Sequence, residues 1–189
     1  MAQHLRVISG TAGGRRISAP KGDAIRPTTG RVKEAVFSAL DAREHLVGAH
    51  VLDLYAGTGA LAIEALSRSA ARAVLVENDD DAVAALRRNL SVTGTATNAT
   101  VVTADVAAFV AGPPPEAAPF DLVLCDPPYD LGSAALDKVI APLGRREWTH
   151  EDALVVVERP VGAAPPHVDG LQIDWERKFG DTLVFFLST

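Results

Sequence analysis

A chain of 189 residues, nearly half of them hydrophobic (48%) and with a formal net charge of −6, is long enough for one well-buried core and short for two full domains. No apolar stretch reaches membrane-spanning length, the start Met-Ala-Gln-His-Leu-Arg lacks a signal-peptide pattern, and a single Cys excludes an internal disulfide and a cysteine metal cluster. The five His show no close metal-ligand spacing, so the expectation is a soluble, cytoplasmic, monomeric protein without metal or membrane partners.

The charge is unevenly placed. Residues 1–33 hold seven Lys/Arg and one acid, net +6, which leaves eleven bases against twenty-three acids, net −12, in the rest. A basic arm on an acidic body is suited to phosphate contacts with a nucleic acid, although a solvated basic hairpin accounts for the charge equally well.

In chain order, residues 5–9 and 15–18 are short β-like runs joined through Gly10-Thr11-Ala12-Gly13-Gly14, which reads as a hairpin that cannot bury much alone. Arg6, Arg15, Arg16 and Lys21 cluster on or near it, followed by Arg26 in the extended segment Ile25-Arg26-Pro27-Thr28-Thr29-Gly30. These five bases are the candidate RNA-binding residues. Thr29 is placed to cap a helix over 31–43, where Val32, Ala35, Val36, Ala39 and Leu40 recur at helical spacing and Arg31 and Lys33 are expected to stay in water. The expected division is a basic hairpin and linker over 1–30 and one main domain over 31–189.

From Val51 the pattern alternates. A strand at 51–55, a helix at 60–69 and a strand at 73–77 predict a parallel α/β core. Asp79-Asp80-Asp81 opens a helix to about 92, with its acids at the positive end of the dipole and Gly94 to stop it. A strand follows at 99–103, then a short helix at 106–111, a proline-broken loop, a buried strand at 120–125 and a helix at 133–141. A further buried strand at 153–158 precedes a closing pair at 171–178 and 182–187, turned through Gly180-Asp181, so the sheet is expected to be mostly parallel with an antiparallel last strand. Residues 159–170 do not read as a full helix.

Two stretches carry chemistry. Val51-Leu52-Asp53-Leu54-Tyr55-Ala56-Gly57-Thr58-Gly59 leads from strand through glycine turn into helix, and Glu77 ends the next strand, a pairing that points to a nucleoside-containing cofactor with Glu77 accepting from ribose hydroxyls. Asp53 and Glu77 bracket this loop and nothing basic lies within it, so a sulfonium suits it better than a pyrophosphate. Asp105 is suited either to accept from an adenine amino group or to cap the helix at 106–111, and the two roles are compatible. Asp126-Pro127-Pro128-Tyr129 would by itself be a turn, but its place after a buried strand puts it at the carboxyl edge of the sheet, where ligands collect.

These marks resemble the S-adenosylmethionine-dependent methyltransferases of Rossmann-like fold: Asp53-x-x-x-Gly57-x-Gly59, then Glu77, Asp105 and Asp126-Pro127-Pro128-Tyr129 after successive strands. The arm from Arg6 to Arg15, the segment Arg26-Pro27-Thr28-Thr29-x-Arg31-Val32-Lys33-Glu34-Ala35 and the stretch from Leu54 to Arg68 are similar to the bacterial 16S ribosomal RNA guanine-N2 methyltransferase family, the RsmD type. The resemblance implies methyl transfer from S-adenosylmethionine to the exocyclic amine of a guanine in 16S ribosomal RNA, within an assembling small subunit.

An amine whose lone pair is delocalised into a ring needs acceptors that help it become tetrahedral. The Asp126 carboxylate and the Pro127 carbonyl are placed to supply them, and Tyr129 to stack on an extruded base. Cys125, in an apolar strand, reads as filler, and Glu64 as the partner of Arg68 one helical turn on. The competing readings are an adenine-N6 methyltransferase, a nicotinamide-dependent oxidoreductase using the glycine loop, and a non-catalytic nucleic-acid-binding protein.

Overall fold

Strand-length apolar runs alternating with amphipathic helices form a seven-stranded mixed sheet, beside a two-stranded N-terminal hairpin, in the computed structural model, which describes residues 5–19 and 30–189. The elements are β1 (Leu5–Arg6), β2 (Arg16–Ile17), α1 (Gly30–Ala42), β3 (His50–Leu54), α2 (Ala60–Ser67), β4 (Arg72–Glu77), α3 (Asp80–Thr93), β5 (Ala99–Thr103), α4 (Val106–Ala111), β6 (Phe120–Cys125), α5 (Ser133–Ile140), β7 (Thr149–Pro160), β8 (Gln172–Phe179) and β9 (Thr182–Ser188). The seven-stranded sheet runs β5-β4-β3-β6-β7-β9-β8, with β9 antiparallel to both neighbours and the first five strands parallel. The expected mostly parallel sheet with an antiparallel last strand is the observed one. Among the described residues no helix is long and apolar enough to cross a membrane.

Each face of the sheet is covered. Val51, Leu75, Leu122, Leu124, Val156 and Phe186 pack under α1 and α2, whereas Leu52, Val74, Val123, Val155 and Phe185 pack on the opposite side with α4 and α5. Successive strand residues alternate between these two clusters, which is why β3 and β6 are mainly apolar on both faces, interrupted only by Asp53 and Asp121. Local signals place the helix ends: Asp79 accepts from the Ala82 amide at 2.8 Å to start α3, and Gly94, at φ 75°, ends it.

Two details differ from expectation. β7 starts at Thr149 and not near 153, its longer pairing with β6 made possible by a register shift between Phe120 and Leu122. As expected, no helix forms between β7 and β8; Gly162, Pro165 and Pro166 lie in that connection. Lys33 does not stay in water: it is 2% exposed, because the N-terminal hairpin lies across its face of α1.

The hairpin itself pairs Leu5 with Ile17 and Arg6 with Arg16. Leu5, Val7, Ala12 and Ile17 join the core cluster of α1 and α2. A Cβ at Gly10 would stand 1.8 Å from the Ser67 carbonyl oxygen, so only glycine fits where the arm meets the end of α2.

Candidate active site and arm junction

Strand order reverses between β3 and β6: β4 and β5 lie on one side of β3, and β6 and β7 on the other. Ligands bind at such a switch point, beyond the carboxyl ends of the strands. Leu54 pairs with Cys125, so the residues that follow, Tyr55 and Asp126, leave the sheet side by side. The tertiary structure therefore brings the glycine loop and the Asp-Pro-Pro-Tyr tetrad to one edge, as expected.

Within the loop, Tyr55 adopts φ 62° and Gly57 and Gly59 φ 53° and 76°. A non-glycine residue in the left-handed region stores strain, and such residues cluster at ligand sites. A Cβ at Gly59 would meet Leu86 at 3.2 Å, so this glycine also serves the contact between α2 and α3. Burial, with Cys125 and Asp105 adding to it, pushes the Tyr55 hydroxyl up to about 12.

Asp53 is 1% exposed; one carboxylate oxygen accepts from the Ala62 amide at 3.1 Å, and the other has no hydrogen-bond partner. Burial pushes its pKa up to about 8, the Ala62 amide opposes this, and the charges of Asp126 and Glu77 push it further. Glu77 organises the loop, accepting from Gly57 N at 2.7 Å through one oxygen and from Asn78 N and Asp79 N at 2.9 and 3.0 Å through the other. The expectation that Glu77 accepts from ribose hydroxyls must share that carboxylate with three amides, and only the unused lone pairs remain for it. Asp105 is exposed and caps α4, accepting from Ala108 N at 2.8 Å.

In the tetrad, Asp126 is half-buried, Pro127 buried and Pro128 exposed. The Tyr129 hydroxyl lies 3.1 Å from Thr182 Oγ1 at the start of β9, while the residue stays 42% exposed. That contact fixes the phenol end. Arg159, which sequence reasoning missed, is 2% exposed and donates to the Leu131 carbonyl at 2.7 Å, anchoring the far end of the tetrad loop to β7. Cys125 is buried and its thiol pushed up by burial and by Asp126, which leaves no reactive thiolate.

The residues below the arm form a second polar centre. Glu64 is 0% exposed and accepts from Ile8 N at 2.7 Å and Ser9 N at 3.0 Å, while pairing with Lys33 at 3.0 Å and Arg68 at 2.9 Å. Burial alone would raise the Glu64 carboxyl, but the Ile8 amide, Lys33 and Arg68 outweigh it and hold it below the usual range. The expected Glu64–Arg68 pair is present, yet buried and enlarged: Lys33 also donates to the Arg6 carbonyl at 2.7 Å, and Arg68 reaches Asp41. Asn89 accepts from Ser18 N and donates to the carbonyls of Ser18 and Thr58, each at 2.9 Å, so one side chain ties the arm to the glycine loop. No short-range pattern marks Asn89 or Lys33, because their partners are distant in sequence.

Among the candidate RNA-binding bases, Arg6 and Arg16 are exposed on the hairpin, Arg6 donating to Gly14 O at 3.2 Å. Arg15 donates to Val92 O at 2.9 Å, at the carbonyl end of α3, so part of its charge serves the helix terminus. Lys21, Arg26 and the Thr29 cap lie outside the described residues.

A parallel sheet with one antiparallel strand, a glycine loop at the switch point and an Asp-Pro-Pro-Tyr edge beside it define a Rossmann-like methyltransferase fold. The model of the family described as Conserved hypothetical protein 95 matches residues 5–188, and the chain belongs to that family. It is 38% identical over 164 residues to the ribosomal RNA small subunit methyltransferase D of Escherichia coli strain K12, covering 87% of this chain and 79% of that protein. The protein of the same name from Haemophilus influenzae is 31% identical over 154 residues, covering 82% and 78%. Among solved structures, Escherichia coli YhhF superposes with a TM-score of 0.84 at 35% identity, covering 98% of this chain and 97% of that one.

Proposed function

We propose that this protein transfers a methyl group from S-adenosylmethionine to the exocyclic N2 amine of a guanine in 16S ribosomal RNA, acting on the assembling small subunit. The observation that carries the reading is the placement of Asp126 and Pro127 directly beside the glycine loop, with the buried, half-satisfied Asp53 between them and Glu77. The names of its relatives in the RsmD group support the ribosomal RNA substrate.

The residues present fit the cofactor. An orphaned carboxylate oxygen at Asp53, under the field of Asp126 and Glu77, favours a cationic ligand and disfavours a pyrophosphate, which argues against the nicotinamide reading. When bound, S-adenosylmethionine supplies a methyl group already activated on a sulfonium. Asp53, Gly57, Gly59 and Glu77 would hold it, with Asp105 toward the adenine end. The chain's own work is then orientation. Asp126 and the Pro127 carbonyl accept from the target NH2, aim its lone pair and favour the positive charge that develops on nitrogen. Tyr129 stacks on the extruded base, a contribution of roughly 1–3 kcal/mol. Arg6, Arg15 and Arg16, together with Lys21 and Arg26, supply phosphate contacts.

The test is transfer of labelled methyl to small-subunit particles lacking the modification, followed by nucleoside digestion. N2-methylguanosine is the expected product, and Asp126→Ala is expected to lower the rate by about 10²–10³-fold. N6-methyladenosine would replace the guanine reading by the adenine one, and full activity of Asp126→Ala would overturn the mechanism.

A further inference from the structure

The opposite edge of the sheet, where the parallel strands begin, carries a second cluster that the methyl-transfer reading does not use. His50 opens β3, Asp121 is the second residue of β6 and His150 the second of β7. Val51 pairs with Leu122 and Phe120 with Thr149, so His50, Asp121 and His150 stand in a row across three adjacent strands. One ligand atom from each lies within 4.8 Å of the others, and His150 Nε2 is 3.8 Å from Asp121 Oδ1. Far apart in sequence, they gave no spacing signal; strand register alone assembles them.

We propose that His50, Asp121 and His150 bind one divalent transition-metal ion of the zinc type. The ligand chemistry is two imidazoles and a carboxylate, the set that zinc takes with a fourth position left for water or another ligand. Asp121 is already oriented. The Asp121 Oδ2 atom accepts from the His50 backbone amide at 2.8 Å, which leaves Oδ1 facing His150. The Arg72 Nη2 atom lies 3.0 Å from His50 Nδ1 and a guanidinium only donates, so an ion taken at that nitrogen would displace Arg72. Zinc bonds of about 2.0–2.1 Å in tetrahedral geometry put ligand atoms roughly 3.4 Å apart, a contraction that exposed His150 can supply by a side-chain rotation. A cleft of about 420 Å³, lined by His150 and Asp121 with His45, Glu44, Glu151 and Asp152, gives an entry path and further oxygen and nitrogen ligands. Arg72 is set against the ion: it adds a positive charge and occupies His50 Nδ1.

The site joins β3, β6 and β7 at their starts, about one strand length, roughly 17–20 Å, from the tetrad. Its role is to brace the three central strands. The full, tag-free chain, stripped with a chelator, would be titrated calorimetrically with zinc chloride and separately with magnesium chloride. Expected are one zinc per chain, no magnesium binding, a rise in melting temperature with zinc, and a visible cobalt(II) spectrum of four-coordinate intensity. His150→Ala and His50→Ala each weaken zinc binding by about tenfold or more, and Arg72→Ala tightens it. Circular dichroism establishes that each variant is folded, and exposed His150 makes the substitution least able to disturb the sheet. Absence of zinc binding by folded wild type, or binding that survives both histidine substitutions, would overturn the proposal whatever methyl transfer shows.

Discussion

Glu64 and Asp53 are both buried carboxylates, at 0% and 1% exposure, and the protein treats them in opposite ways. Glu64, under the arm, accepts two amides and pairs with two cations, and its pKa is held down. Asp53, at the switch-point edge of the sheet, has one amide, one orphaned oxygen and two acidic neighbours, and its pKa is pushed up to about 8. A buried charge whose partners all come from the chain is a joint. A carboxyl left with one partner is instead driven toward its protonated form, a state that the cationic cofactor of the proposed function would reverse; burial is the same in both cases, and the count of partners separates them.

The sharpest way to break this comparison is Glu64→Gln. It leaves Lys33, 2% exposed, buried without its counter-charge, and is expected to cost about 3–5 kcal/mol, read from urea midpoints at pH 7. Because the folded pKa of Glu64 lies below its unfolded value, its contribution is present above that unfolded value and is lost as pH falls through the folded one. The gap between wild type and variant should therefore close in acid; equal stability at pH 7 would sink the joint.

Asp53→Asn tests the other side. The folded pKa of about 8 is above the unfolded value, so Asp53 favours the cofactor-free fold at low pH, and that advantage is lost as pH rises toward 8. The variant should flatten the decline of stability between pH 5 and 8 and weaken S-adenosylmethionine binding by about tenfold, or about 1.4 kcal/mol. An unchanged pH slope and an unchanged affinity would show that the orphaned oxygen awaits nothing.

Arg16→Ala gives the smallest effect. Arg16 is exposed and Arg15 is partly committed to the end of α3, so the single change should reduce the salt slope of RNA binding by about one and leave cofactor affinity unchanged. A matching loss of cofactor affinity would mean that the arm acts through Asn89 on the glycine loop.

Most of the sheet was legible because its signals are local. Apolar runs marked the strands, Asp79, Gly94 and Asp105 marked helix ends, and Gly180-Asp181 marked the last turn. The tetrad and glycine loop were legible for the same reason, each being a contiguous stretch with unusual backbone requirements. The start of β7 was misplaced because a bulge against β6 has no signature in β7 itself. Lys33 was misplaced because a lysine reads as solvent-facing, whereas it shares a buried face with Val36 and Phe37 and its charge is met by Glu64 and the Arg6 carbonyl, both distant in sequence.

By itself, the sequence determined the order of elements, the chemistry available at each strand end and the resemblance that names a family. The tertiary structure decided which of those groups meet. It set Asp53 without a full complement of partners, gathered Lys33, Glu64 and Arg68 under the arm, and lined up His50, Asp121 and His150 across three strand starts. The physical reason is that propensities and turns act over a few residues, whereas burial and pairing of charge depend on the register of strands that are distant in the chain.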